Sequence, residues 1–362
     1  MERTLNFYAG PATLPLPALE RARDEFVNWA GTGMSVMETS HRSKEYDQIH
    51  HEAMDLFKDL LGLDDDFEVL FLQGGASSQF AMLPMNFILP GGSADYVNTG
   101  TWSVKAIKEA NIVASCREAG SSEADGFTRV PTQGELNLDP KAAYLHITSN
   151  NTIKGTQFQD FPDAGETPLV GDMSSDLLWR PIDANRFSMI YAGAQKNVGP
   201  SGVTIVLIRK SWVEKAKVDN LPTMLRYVTH LSKESLYNTP PSFSIYMVRN
   251  VLRWVKDLGG LAAMEERNRM KGDLLYGLFN ELSDFYRSPV EPASRSYMNV
   301  VFRLPSEELE KKFVVEAQKN QMVGLKGHRS VGGCRASIYN AMEPAGVQVL
   351  VDFMREFARV NG

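Results

Sequence analysis

Tyr191-Ala192-Gly193-Ala194-Gln195-Lys196-Asn197-Val198-Gly199-Pro200-Ser201-Gly202-Val203 is the stretch that decides the architecture. It joins two short apolar runs, residues 187–192 and 203–208, and both predict strands. Lys196 then falls in a tight Gly/Pro turn at a strand end, where α/β proteins build sites. A lysine so placed is either a solvated loop side chain, the common state of lysines, or a covalent amine. The rest of the chain must separate the two.

Working outward, residues 168–171 run into Asp172, which predicts another strand end. The interval to Lys196 leaves room for one strand–helix–strand unit, so an acid and a lysine emerge from neighbouring strand ends. On its own Asp172 equally suits a cap for the next helix. Residues 142–149 read as a strand that opens into a polar loop, Thr148 to Thr156. Residues 69–72 read as a buried strand running into Gln73-Gly74-Gly75-Ala76-Ser77-Ser78, with a helix to about residue 89. Strand, glycine turn and helix N-terminus make a phosphate cradle in outline, because free N–H groups of the first turn point at an anion. It is neither a Walker A loop nor Gly-x-Gly-x-x-Gly. Residues 94–98 give a strand, after which Trp102 opens a helix as core filler or as a platform for a flat ring. A further strand is expected at 112–117.

Toward the N-terminus, Pro15 and Pro17 open a helix expected to reach about residue 30, and a second helix spans 44–61, stopped by Gly62. A loop between them carries His41 and Arg42. Beyond residue 210 the chain is helical or irregular, then a Pro-Pro loop leads into a long helix over 243–258. Gly259-Gly260 marks the expected domain boundary. A helix over 261–282, strand 298–304, helix 306–320, strand 335–340 and helix 344–360 then predict a small α/β domain. The expected division is 16–258 for the large domain, with 1–15 and 259–362 forming the small one.

Composition narrows the class. At 362 residues, 43% hydrophobic and 23% charged, the chain suits a soluble globular protein of two domains. A net charge of −6 argues against non-specific nucleic-acid binding. No apolar run approaches the ~20 residues that span a bilayer, and the N-terminus does not read as a signal peptide. Two cysteines, Cys116 and Cys334, cannot make a disulfide framework or a Cys-rich metal site. Cytoplasm is the expected compartment, and no metal is expected.

Together the parts describe one cofactor. Pyridoxal 5′-phosphate needs a lysine for its aldehyde, an acid for its pyridine nitrogen, a flat group over its ring and a phosphate cup. Lys196, Asp172, Trp102 and the 74–78 turn supply candidates for all four. An aspartate against the pyridine nitrogen keeps it protonated, since opposite charges favour each other's charged form.

At this point the residues resemble a family, the phosphoserine aminotransferases, which are fold-type I, class V pyridoxal-phosphate enzymes. The resemblance is carried by residues 192–202, 7–12, 40–43, 73–77 and 98–100 with Trp102. It continues through 172–175, 237–241, 327–333 and 335–340, covering nearly the whole chain in order. It implies a large domain with a mostly parallel seven-stranded sheet flanked by helices, plus a smaller α/β C-terminal domain. Lys196 would carry the cofactor, Asp172 would pair with the pyridine nitrogen and Trp102 would stack on the ring. Thr152 would donate to the ring 3′-oxygen, and Ala76, Ser77 and Gln195 would hold the phosphate. Asn238 and Thr239 would reach the phosphate from the other subunit of a homodimer.

The implied substrates are L-glutamate and 3-phosphohydroxypyruvate, giving O-phospho-L-serine and 2-oxoglutarate in serine biosynthesis. A related four-carbon phospho-oxo acid of vitamin B6 synthesis is a possible second substrate. Glutamate and phosphoserine share an α-carboxylate and a distal anion, so one pocket needs two cationic poles. Arg335 would fork the α-carboxylate. Arg42, with His41, His328 and Arg329, would take the distal anion. Some members of the family place an arginine just after the Gly-Gly-Ala turn; Ser77 and Ser78 stand there in this chain. Competing readings are a cysteine desulfurase, which needs a thiolate on a mobile loop, an alanine–glyoxylate-type transaminase, and an inactive cofactor-binding relative.

Overall fold

The computed structural model describes residues 3–362. Its centre is a seven-stranded sheet formed by β1 (Phe67–Leu72), β2 (Ser93–Asn98), β3 (Ser115–Ser121), β4 (Leu145–Thr148), β5 (Leu169–Asp172), β6 (Met189–Gly193) and β7 (Thr204–Arg209). The order across the sheet is β1-β7-β6-β5-β4-β2-β3, and only β7 runs antiparallel to its neighbours. The inner strands β5, β6 and β7 are buried almost throughout because both faces are covered, whereas the edge strand β3 is polar and largely unburied. Alternate residues serve opposite cores: Ile205 and Leu207 face one, Val206 and Ile208 the other.

Helices α1 (Leu16–Glu25), α2 (Lys44–Leu61) and α5 (Ser242–Asp257) cover the first face through Ala18, Ile49, Phe57, Val248 and Leu252. Helices α3 (Gly75–Phe87) and α4 (Thr101–Val113) cover the second through Phe80, Leu83, Ala106 and Ala110. A C-terminal core gathers α6 (Gly260–Glu281), β8 (Asn299–Phe302), α7 (Glu307–Lys319), β9 (Cys334–Ser337) and α8 (Pro344–Asn361). Strands β8 and β9 pair antiparallel, and Leu5–Asn6 pairs parallel with Met322–Val323, bringing Phe7 into this core. Helix α6 feeds two cores: Leu261 and Met264 pack with the sheet, Leu275, Leu278 and Phe279 with the C-terminal elements.

Three local expectations give way. Helix α1 stops at Glu25, not near residue 30, and a short 3-10 turn, Trp29–Gly31, follows with Ala30 at φ 50°. There Asn28 Oδ1 accepts the Gly33 amide at 2.7 Å, so a side chain captures backbone that a longer helix would use. The strand expected at 112–117 begins only at Ser115, because α4 continues to Val113 and the apolar Ile112 lies exposed on it. No α-helix links β5 to β6; turns and a 3-10 segment, Ala184–Arg186, make the crossover while Leu177, Leu178 and Trp179 are buried.

Strands β1, β2, β4, β5 and β6 all end at one edge of the sheet. The loops leaving those ends, with the N-terminal arm and β9, enclose the main cavity. Among the described residues no helix is long and apolar enough to cross a membrane.

Candidate active site

The cavity holds about 490 Å³. Each sheet-edge loop contributes side chains to it: Gly74–Ser77 after β1, Trp102 after β2, Thr148 to Ile153 after β4, Asp172, Ser174 and Ser175 at the end of β5, and Gln195 with Lys196 after β6. Ala9 and Gly10 of the arm and His328 with Arg335 of the C-terminal core complete it.

Lys196 lines the cavity with its amine 5.6 Å from the centre of the Trp102 ring. Burial pulls its pKa down to about 8; Asp172 and Asp176 oppose that shift and Arg335 adds to it. Asp172 is buried, and burial raises its pKa against two hydrogen bonds that favour the carboxylate. Those bonds come from the Ser174 hydroxyl at 2.6 Å and the Ser174 amide at 3.0 Å, both to Oδ1. Among the described residues nothing donates to Oδ2, the oxygen left for a ligand. The aspartate therefore sits in a side-chain turn and caps no helix. The Ser174 hydroxyl also accepts the Gly193 amide at 3.1 Å, tying the acid to the strand that leads to Lys196.

Trp102 is held by its Nε1, which donates to Thr152 Oγ1 at 3.0 Å. Thr152 in turn accepts Arg335 through its carbonyl, at 2.7 Å. One residue thus links the aromatic wall to the arginine. The 74–78 turn needs its glycine: at Gly74, φ 91°, a Cβ would stand 1.8 Å from Ser78 Oγ. The first amides of α3 are thereby free to meet an anion.

The arm is fixed where the Ala12 amide donates to the Gln195 carbonyl at 2.9 Å. Gly10, at φ 145°, lies close enough to Lys196 that a Cβ would come within 3.4 Å of its Cγ. Sequence reasoning gave Gly10 and Ser174 no task; their signals were a Gly-Pro break in the arm and a serine two residues after an aspartate. It also passed over Lys105, whose amine lies 4.6 Å from the Trp102 ring centre. Burial lowers the pKa of His328, and Arg335, Arg329 and Lys105 lower it further, which marks a positive field at the mouth.

Not every expected residue meets in this cavity. His41 and Arg42 lie together on a loop, 3.4 Å apart, away from it. Asn238 and Thr239 also lie outside, Asn238 reaching Gln73 at 3.4 Å. Arg329 is exposed and lines a neighbouring groove that shares His328. Neither thiol is a candidate nucleophile. Burial pushes the Cys116 pKa up to about 11 and that of Cys334 further, and neither lines the main cavity. Among the described residues no cluster of metal-ligating side chains occurs.

The site fits pyridoxal phosphate on its own geometry. It offers an amine of lowered pKa, an aspartate with one oxygen free, a braced indole and a helix N-terminus around one cavity. Comparison with known proteins agrees. The family model "Aminotransferase class-V" matches residues 4–350. A phosphoserine aminotransferase of Desulfatibacillum aliphaticivorans is 57% identical over 362 residues, 99% of each chain. The solved phosphoserine aminotransferase from Bacillus circulans subsp. alkalophilus superposes with a TM-score of 0.98 at 54% identity over the whole of both chains. A pyridoxal-phosphate-bound phosphoserine aminotransferase from Trichomonas vaginalis gives 0.92 at 39% identity, over 98% of this chain and 100% of its own. The chain belongs to the class-V aminotransferases and, within them, to the phosphoserine aminotransferase family.

Proposed function

We propose that the cavity around Lys196 is where this chain exchanges an amino group between L-glutamate and 3-phosphohydroxypyruvate, forming O-phospho-L-serine and 2-oxoglutarate in serine biosynthesis. The observation that carries this is the placing of Lys196, Asp172, Trp102 and Arg335 on one cavity. Bound there, pyridoxal phosphate supplies an aldehyde carbon for amines and a ring that withdraws electrons from the substrate's α-carbon. Lys196 is the residue that would bond it, and a pKa of about 8 leaves a useful neutral fraction of the amine near physiological pH. Asp172 would pair with the pyridine nitrogen and keep it protonated, while Ser174 fixes the carboxylate. Trp102 would cover the ring face and Thr152 would meet the 3′-oxygen. The amides of Ala76 and Ser77, with Gln195, would hold the phosphate.

Arg335 forks the substrate α-carboxylate. The Lys196 amine would take the proton from the substrate's Cα, acting as general base and then acid. His328 places a ring N–H donor at the mouth for the distal anion, within the positive field of Arg335, Arg329 and Lys105. Arg329, His41 and Arg42 join it when a second subunit docks; Asn238 and Thr239 then serve the partner's phosphate cup. A homodimer is the working unit, which gives the residues outside the cavity a task. We assign residues 16–258 to the large domain and 1–15 with 259–362 to the small one, and the cytoplasm as compartment.

The test is a coupled assay with phosphoserine and 2-oxoglutarate, run beside alanine and glyoxylate. Turnover of the first pair, at least ~10²-fold above the second in kcat/KM, is expected from a pocket built for two anions. Equal turnover of both pairs would refute the assignment.

A further inference from the structure

Lys271 sits on α6, fully buried, and among the described residues no carboxylate pairs with it. Its amine donates to the carbonyls of Ile338 and Tyr339, each at 2.7 Å, and reaches that of Asn340 at 3.5 Å. Three N–H groups thus face three acceptors. These carbonyls belong to the turn that leaves β9, the strand carrying Arg335.

Two separate arms run from that turn to Lys196. In the first, the Asn340 amide donates to Asn197 Oδ1 at 3.0 Å, and Asn197 Nδ2 donates to the Leu177 carbonyl at 3.2 Å. Asn197 directly follows Lys196 in the chain. In the second, the Tyr339 hydroxyl donates to the Ala9 carbonyl at 2.7 Å and accepts Asn299 Nδ2 at 3.0 Å. The next residue, Gly10, packs on the Lys196 stem. Asn268 closes the joint from α6, donating to Asn340 Oδ1 at 2.8 Å and the Trp179 carbonyl at 2.9 Å.

We propose that Lys271, remote from the cavity, is a positioning residue that keeps the reactive amine of Lys196 and the substrate-binding Arg335 in one fixed relation by saturating the 338–340 turn. The inference rests on the roles given above to Lys196 and Arg335. An apolar side chain of equal length fills the space yet leaves the Ile338 and Asn340 carbonyls without that partner and the Tyr339 carbonyl with the Met342 amide alone, and a half-satisfied buried network fails as a unit. A displacement near 1 Å at the reacting groups costs on the order of 10²-fold in rate.

The experiment is Lys271→Met in the full chain, with Asn197→Ala and Tyr339→Phe cutting one arm each. In the cofactor-loaded enzyme kcat for phosphoserine is expected to fall roughly 10–100-fold in Lys271→Met, and by less in each single-arm variant. In the cofactor-free protein, trinitrobenzenesulfonate labelling of Lys196 is followed against pH by mass spectrometry. Its midpoint is expected near 8 in the natural chain and displaced toward the ordinary lysine value in Lys271→Met, as the amine, no longer held in its buried place beside Arg335, regains solvent. A folded Lys271→Met protein with unaltered kcat and midpoint would overturn the proposal, leaving Lys271 a purely structural tie. Should that variant not fold, unaltered values in both single-arm variants overturn it equally. Lys196→Ala runs alongside: residual turnover there removes the reading of Lys196 itself, whereas a dead Lys196→Ala beside an unaffected Lys271→Met removes only this inference.

Discussion

Two lysines are drawn out of water in this fold, in opposite ways. Lys271 has lost its solvent but has a carbonyl for every N–H. Lys196 lines a cavity, has no hydrogen bond to its amine among the described residues, and feels two carboxylates across space. Burial lowers the pKa of both. The difference teaches that desolvation alone does not make a lysine chemical. A saturated ammonium is a strut; an unsaturated one, opposed by acid and open to a cavity, is available to a ligand.

The widest separation between the two is expected from methionine at each position. Lys196→Met is expected to remove phosphoserine turnover by at least ~10⁴-fold, since both bond-forming amine and proton carrier vanish. It is expected to leave thermal unfolding unchanged or raised, because it deletes a poorly solvated charge. Lys271→Met is expected to cost stability instead, about 1–3 kcal/mol for the acceptors it orphans. Equal melting temperatures for the two variants would break the comparison.

A smaller effect is expected at the acid that opposes Lys196. Asp172→Asn keeps an acceptor for Ser174 but removes the charge, so kcat is expected to fall on the order of 10²-fold. The Lys196 midpoint in the cofactor-free protein should fall below about 8, because Asp172 and Asp176 are what hold it up against burial. A midpoint that rises would mean Asp172 is not the group acting on the amine.

The smallest effect is on stability against pH. Lys196 has a folded pKa near 8, below its ordinary 10.5, so the unfolded chain binds more protons between those values. Stability of the cofactor-free protein should therefore gain a contribution as pH rises from about 8 toward 10.5, and Lys196→Met should lack that gain. Chemical denaturation at pH 8 and pH 10 compares the two proteins; identical pH slopes would sink the assignment.

How much of this was legible beforehand follows from the range of each signal. Most of the sheet was readable because its inner strands are short apolar runs closed by Gly, Pro or polar residues, and each depends on neighbours only a few residues away; the polar edge strand Ser115–Ser121 gives no such run. Lys196, Asp172, Trp102 and the 74–78 turn were readable for the same reason, as chemical groups at strand ends. The premature end of α1 was not, because Asn28 competes with the helix through its side chain. Nor was the helix-free crossover from β5 to β6, where burial of Trp179 and its neighbours replaces a regular helix.

The sequence by itself determined the class of fold, the cofactor chemistry and the family, since these rest on local patterns strung along the chain in order. Only the tertiary structure decided which residues meet. It brought Ser174 under Asp172, Gly10 against Lys196 and Thr152 between Trp102 and Arg335, while His41, Arg42, Asn238 and Thr239 stayed outside the single-chain cavity. It alone showed Lys271, a residue with no local motif, because the carbonyls that give it meaning lie some seventy residues along the chain and are brought to it only by packing α6 on the end of β9.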